Sequence, residues 1–324
     1  MHLNRTFELS MVLDTEKFQK VFTKVYNRIV WMEGNEEYID QFMASKGITV
    51  VYCNNQYRKK IKLIVNSNIM GCEVSEPDRF IRKLDKRIGE YFGYKYQLDD
   101  FILSGMILTT DIDVGNRENA VAYLKVLKRI GKVKGFSPVS YECFDNCEDF
   151  CLDGNSNGIA FMFYDLEGIL KEQLRITGNN HKKSMIKESE GILRTEVRLT
   201  KPKAIRAYTT MEETSGQIAA LLKSDRDIFL DTFTRIIPFG NFYKKDKAEE
   251  IIRKRVEDSI LRRKMLRLIA LIPEKKSLYL AQKSMNCRDM EKVMDGFAKI
   301  NVSPITISKR HDVKWLENIY EFLI

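Results

Sequence analysis

Tyr164 closes the apolar run Ile159-Ala160-Phe161-Met162-Phe163. A phenolate can attack phosphorus and keep the bond as a phosphotyrosine, which splits one hard step into two reversible ones. Its ordinary pKa near 10 means that it needs help from a cation or a neighbouring base. Upstream, Asp111 and Asp113 stand two apart in Met-Ile-Leu-Thr-Thr-Asp-Ile-Asp-Val, so a strand turns both to one side. Such a pair repels unless a cation lies between, and oxygen ligands favour Mg²⁺ or Mn²⁺. Downstream, the alternation in Leu193-Arg194-Thr195-Glu196-Val197-Arg198-Leu199 puts Arg194, Glu196 and Arg198 on one face. Glu196 on a metal and guanidiniums on phosphate oxygens would suit cleavage of a phosphodiester. Glu142, Asp153 and Glu167 are candidate third ligands. Each group also has a plainer reading: Tyr164 as a core aromatic, Asp111 and Asp113 as a solvated strand end before Gly115-Asn116, Glu196 on a wetted face.

These side chains need strands to hold them. Apolar spacing predicts strands at Phe7–Leu13, Thr49–Cys53, Lys60–Val65, Met106–Val114, Val139–Phe144, Ile159–Tyr164 and Ile192–Thr200. Helical spacing covers Glu16–Trp31, Asp78–Phe92 (opened by Ser75-Glu76-Pro77), Arg117–Ile130 and Asp165–Arg175. Thr177–Lys183 reads as a polar loop. The order strand, helix, strand, strand, helix occurs twice, about a hundred residues apart. The expected class is α+β: duplicated β-α-β-β-α units in a split β-α-β layout, an antiparallel sheet with helices on one face. Beyond Pro202 the spacing turns helical, at Met211–Leu222, Arg226–Ile236, Lys247–Leu271 and Arg288–Ile300. With a boundary near Lys201–Tyr208, the expected division is 1–100, 101–205 and a helical 206–324.

The 324 residues carry a net charge of +9, which suits a polyanionic partner. Ten lysines and arginines crowd Lys244–Arg267; among them Lys254, Arg255, Arg262, Arg263 and Lys264 are candidate DNA contacts, against the plainer reading of a solvated helix face. The six cysteines, Cys53, Cys72, Cys143, Cys147, Cys151 and Cys287, are too scattered for a disulfide scaffold. Cys143, Cys147 and Cys151 would share a helix face, but lack the tighter spacing and fourth ligand of a zinc site. His2, His181 and His311 are too dispersed for a metal pair. No apolar run approaches the roughly 20 residues of a membrane helix, and Met1–Glu8 lacks the apolar stretch of a secretory signal. The chain is therefore expected in the cytoplasm.

In order, Thr109-Thr110-Asp111-Ile112-Asp113, then Phe163-Tyr164-Asp165-Leu166-Glu167, then Leu193 to Leu199 resemble the motifs of rolling-circle replication initiators, above all the filamentous-phage replication endonucleases and related plasmid initiators. The resemblance spans residues 45 to 205 and implies an HUH/RRM-like sheet. It makes Tyr164 the nucleophile that nicks an origin and stays joined to the 5′ phosphate. Asp113 and Glu196 become metal-site residues for Mg²⁺ or Mn²⁺, and Arg194 matches the arginine two before the glutamate. Asp111 falls where relatives often carry arginine. Leu166 and Glu167 replace lysines common after the tyrosine, with Lys171 a turn further on; Arg198 stands where some relatives have a second acid. The implied partners are origin DNA, single-stranded or hairpin, with a host helicase and polymerase; a homodimer is one assembly it allows.

Two other functions compete. A primase-polymerase would use Asp111 and Asp113 on a comparable sheet, without explaining Tyr164. A non-catalytic DNA-binding replication regulator would need only the basic helices.

Overall fold

The computed structural model describes residues 1–32, 36–71, 76–140, 148–177 and 183–323. Cys72, Ser75, Glu142, Cys143, Cys147, His181 and most of the Thr177–Lys183 loop lie outside these. The first half runs β1 (Asn4–Leu13), α1 (Thr15–Val25), β2 (Val30–Met32), β3 (Glu37–Asp40), β4 (Ile48–Asn54), β5 (Lys59–Asn66) and α2 (Pro77–Phe92). The second runs β6 (Ile102–Asp113), α3 (Arg117–Leu127), β7 (Ser137–Pro138), β8 (Asp149–Gly154), β9 (Ile159–Asp165), α4 (Leu166–Thr177), α5 (Lys183–Glu188) and β10 (Ile192–Leu199). Then come α6 (Pro202–Arg206), α7 (Thr214–Ile236), β11 (Phe242–Tyr243), α8 (Lys245–Arg255), α9 (Ser259–Lys275), α10 (Leu278–Met285), α11 (Met290–Lys299) and β12 (Trp315–Leu316).

Among the described residues, ten strands form one antiparallel sheet in the order β2-β3-β4-β5-β1-β6-β10-β9-β8-β7. The fold is α+β, and both halves contribute to a single sheet joined at β1–β6. In the first half β1 and β4 run the same way with β5 between them, the expected split layout. In the second, β10 slots between β6 and β9, so the two copies share element order but not strand order.

Two-residue alternation makes one face of this sheet apolar. Phe7, Leu63 and Val50 face the same way as Leu108, Val197 and Phe161, and all are buried. Helices cover that face: Phe18 and Phe22 of α1 meet Tyr52, Phe80 of α2 meets Phe7, and Phe233 of α7 meets Phe161 and Phe163. One cluster of buried side chains runs from Leu3 to Leu323. Burial of this kind is worth about 1.5–3 kcal/mol per large side chain and dominates the stability of the sheet.

Several boundaries differ from expectation. The first helix stops at Val25, and Trp31 lies in β2 opposite Tyr38, where an aromatic flanked by Val30 suits an edge strand. Of the strand expected at Val139–Phe144, residues 141–144 lie outside the described ones and Val139 and Ser140 are not in a strand; on either side stand the two-residue β7 and β8, which the polar ends of Asp149–Gly154 disguise. Cys151 is therefore a strand residue, not part of a helical cysteine face. The helices expected at Met211–Leu222 and Arg226–Ile236 are one helix, α7, which starts at Thr214: Asp225 is buried and accepts from Arg5 Nε, so the polar patch interrupts nothing. Conversely Lys247–Leu271 is two helices, because Asp258 caps α9 by accepting from Ile260 and Leu261 N–H.

Candidate active site

Strand register assembles the site. Asp111, Arg194, Tyr164 and Asp149 form one row across β6, β10, β9 and β8. Thr109, Glu196, Met162 and Cys151 form the next. Directly paired residues point the same way, so both rows lie on the face opposite the helical layer. Asp113 shares that face, paired with Ile192 at the strand end. Gly191 makes this corner feasible: its φ is +74°, and a Cβ there would lie 2.5 Å from Asn116 N. That close approach lets Val114 N–H donate to Gly191 O at 2.9 Å and fixes the turn after Asp113.

The centre is a buried chain of polar groups. Tyr164 Oη donates to Glu196 Oε1 at 2.5 Å, and Arg198 Nε donates to Glu196 Oε2 at 2.7 Å. Glu196 is 6% exposed and Tyr164 8%. A carboxylate this buried persists only when paired, and the guanidinium and phenol supply the partners. Next to it Arg194 grips Asp111 through two bonds, Nε to Oδ1 at 2.6 Å and Nη2 to Oδ2 at 2.8 Å. The Asp111 carboxylate holds the Arg194 guanidinium in its charged form, raising its pKa. Burial, and then the negative charge of Glu196, push the Tyr164 phenol well above its ordinary pKa. As folded, Tyr164 is a protonated donor facing a base.

The expected nucleophile is thus more enclosed than an open active site requires. Ile169, from α4, packs with Tyr164, Met162 and Cys151 into a small apolar cluster on the otherwise polar face, flanked by Leu166. Burial also raises the Cys151 thiol pKa, reinforced by Asp149, so it is an inert filler.

The remaining predicted residues are placed as follows. Asp113 Oδ1 accepts from Gly115 N–H at 2.8 Å, serving the turn. Lys171 is bound to Glu167 at 2.5 Å, one turn along α4, and Glu167 also faces Arg117 at 3.5 Å. Arg255 donates to Ile300 O, Arg262 to Val256 O, and Lys264 pairs with Asp289. Lys254 and Arg263 are exposed, without an ion pair among the described residues. Arg263, Lys264, Arg267 and Arg288 line a basic cavity of about 600 Å³. Arg267 belongs to the basic stretch expected from sequence, and Arg288 is the cavity residue that sequence reading missed.

The divalent cation implied by the family resemblance fits this donor set poorly. Among the described residues no group of three His, Cys, Asp or Glu side chains could hold a metal ion. Asp111 is engaged by Arg194 through both oxygens, Glu196 by Arg198 and Tyr164, and Asp113 accepts from a turn amide. Without a metal, the arrangement can still do proton-transfer chemistry: Glu196 can accept the phenol proton, and Arg194 and Arg198 can offer positive charge to an anion.

No protein-family model matches the chain, and no curated protein matches it. A solved structure of a rolling circle replication initiator protein from Geobacillus stearothermophilus is similar over 72% of this chain and 86% of its own, with 11% sequence identity and a TM-score of 0.34. At that TM-score the likeness supports no inference about this chain. Among the described residues no helix is long and apolar enough to cross a membrane.

Proposed function

We propose that the chain initiates rolling-circle DNA replication by nicking single-stranded origin DNA with Tyr164. The observation that carries this reading is the Tyr164–Glu196 hydrogen bond between two arginines, on the sheet face opposite the helical layer. In the proposed step the Tyr164 Oη–P bond forms as the P–O3′ bond breaks. The phenol proton passes to Glu196 Oε1, and the leaving 3′ oxygen takes a proton from solvent. Arg194, the cross-strand neighbour of Tyr164, and Arg198 stabilise the phosphoryl charge. The freed 3′-OH would prime a host polymerase, with a helicase opening the duplex. Basic residues of the last four helices, Arg263 and Lys254 among them, would grip the flanking DNA. Mg²⁺ or Mn²⁺ would be held here only once Arg194 released Asp111.

Incubation with single-stranded origin DNA and Mn²⁺, run on a denaturing gel, tests this. Wild-type protein should carry an oligonucleotide through denaturation, and Tyr164→Phe should not. An undiminished adduct in that variant would place the nucleophile elsewhere. The enclosure of Tyr164 beneath Ile169 favours a second reading, a DNA-binding regulator without cleavage. That reading predicts binding and no adduct from either protein.

A further inference from the structure

A cavity of about 670 Å³ opens at the strand end carrying Asp113, and the far end of the chain completes it. Its walls include Asp113, Gly115 and Asn119 on one side, and Lys314 and Trp315 on the other. One hydrogen bond ties the two sides together, Tyr123 Oη donating to Glu317 O at 2.8 Å, while Asn119 Nδ2 braces its own side by donating to Val114 O at 2.8 Å. Trp315 is 51% exposed although it sits in a paired strand. One side of its ring rests on Tyr243, with centroids 6.5 Å apart and planes 22° apart. Lys314 is exposed and has no ion pair among the described residues.

A half-exposed indole with a second ring near one side, and an exposed lysine in the same lining, suit a base and its phosphate, with the Asp113 and Glu317 carboxylates also in the walls limiting where the phosphate can sit. The volume falls in the range of small-ligand sites, roughly 300–1,000 Å³. Two strand spacings and one two-residue step separate Asp113 from Tyr164, roughly 12 Å between backbones. Asn119 and Tyr123 belong to α3 in the helical layer, so the cavity lies around the strand end from the face that carries Tyr164. We propose that this cavity holds a nucleotide of the single-stranded DNA away from the scissile phosphate, its base on Trp315 and its phosphate on Lys314. The inference rests on the nickase reading for the identity of the strand, and its geometry stands apart from Tyr164.

The test is binding of a labelled single-stranded oligonucleotide, followed by anisotropy in the Tyr164→Phe background so that no cleavage intervenes. Trp315→Ala should weaken binding about tenfold, and Trp315→Phe should restore most of it, because stacking needs a ring and not an indole. Lys314→Gln should lower the salt slope of log Kd by roughly 0.7. Circular dichroism and the melting temperature check that each variant is folded. Binding of Trp315→Ala within twofold of the parent would overturn the proposal. So would a deoxynucleoside monophosphate that binds as tightly as the oligonucleotide, since that marks a free-nucleotide site. Wild-type protein that forms no adduct, together with the expected Trp315 losses, would sink the nickase reading and leave this site standing. An adduct with unaltered Trp315→Ala binding would do the reverse.

Discussion

At the scale of single residues, the decisive pair is Tyr164 and Glu196. Glu196→Gln keeps a partner for the phenol but cannot take its proton, so adduct formation should fall by about 10²–10⁴-fold while oligonucleotide binding persists. Equal rates in both proteins would remove Glu196 from the chemistry. The same contact bears on stability. The Tyr164 proton is held more tightly in the folded chain than in the unfolded one, where the pKa is about 10. Its stabilising effect is therefore complete below that pH and is lost as pH rises above it. Tyr52, Tyr91, Tyr123 and Tyr320 are shifted the same way by burial, so the wild type should weaken steeply above pH 10. Tyr164→Phe should show a shallower alkaline decline in urea midpoints; an identical slope would mean that the phenol titrates freely.

At the scale of elements, α4 and the strands beneath it set access. Ile169 is the α4 side chain buried against Tyr164, so Ile169→Ala should speed nitration of Tyr164 by tetranitromethane. It should also cost about 2–4 kcal/mol of stability, as buried Ile→Ala changes do. Unchanged nitration of that tyrosine would show that α4 does not limit access. Much of this was legible beforehand. The alternation of Arg194, Glu196 and Arg198 against Leu193, Thr195, Val197 and Leu199 located one charged face, and the run before Tyr164 located its strand. Pairing between distant strands leaves no local trace. Nothing in Ile192–Leu199 says that it lies between β6 and β9, and so nothing said that Arg194 would lock Asp111 or that Arg198 would hold Glu196. α10 escaped for a related reason: it is short, capped by Ser277, and ended by Asn286 in the left-handed region, a cap that glycine more often provides.

At the scale of the whole molecule, one sheet and one core link segments that composition separates. The C-terminal residues return to the core, where Tyr320 meets Phe233 at 5.1 Å and donates to Ile237 O at 2.6 Å. Trp31 lies in β2, an edge strand of the large sheet, and Trp315 in β12, paired with the distant β11, so each reports on a different region. In single-tryptophan variants the two urea transitions should coincide, as expected of a shared core; midpoints that separate would reveal independently folding parts. The charge of +9 belongs to this scale as well, since it favours a polyanion on any face while specifying none.

The central claim, that the Tyr164 oxygen becomes joined to DNA, is tested most directly by peptide mapping. Protein reacted with single-stranded origin DNA is trimmed with nuclease, digested with protease and analysed by tandem mass spectrometry. The account predicts a nucleotide-phosphate adduct on Tyr164, absent when Glu196 is glutamine or nearly so. An adduct on another side chain would contradict it, as would DNA cleavage that leaves every peptide unmodified.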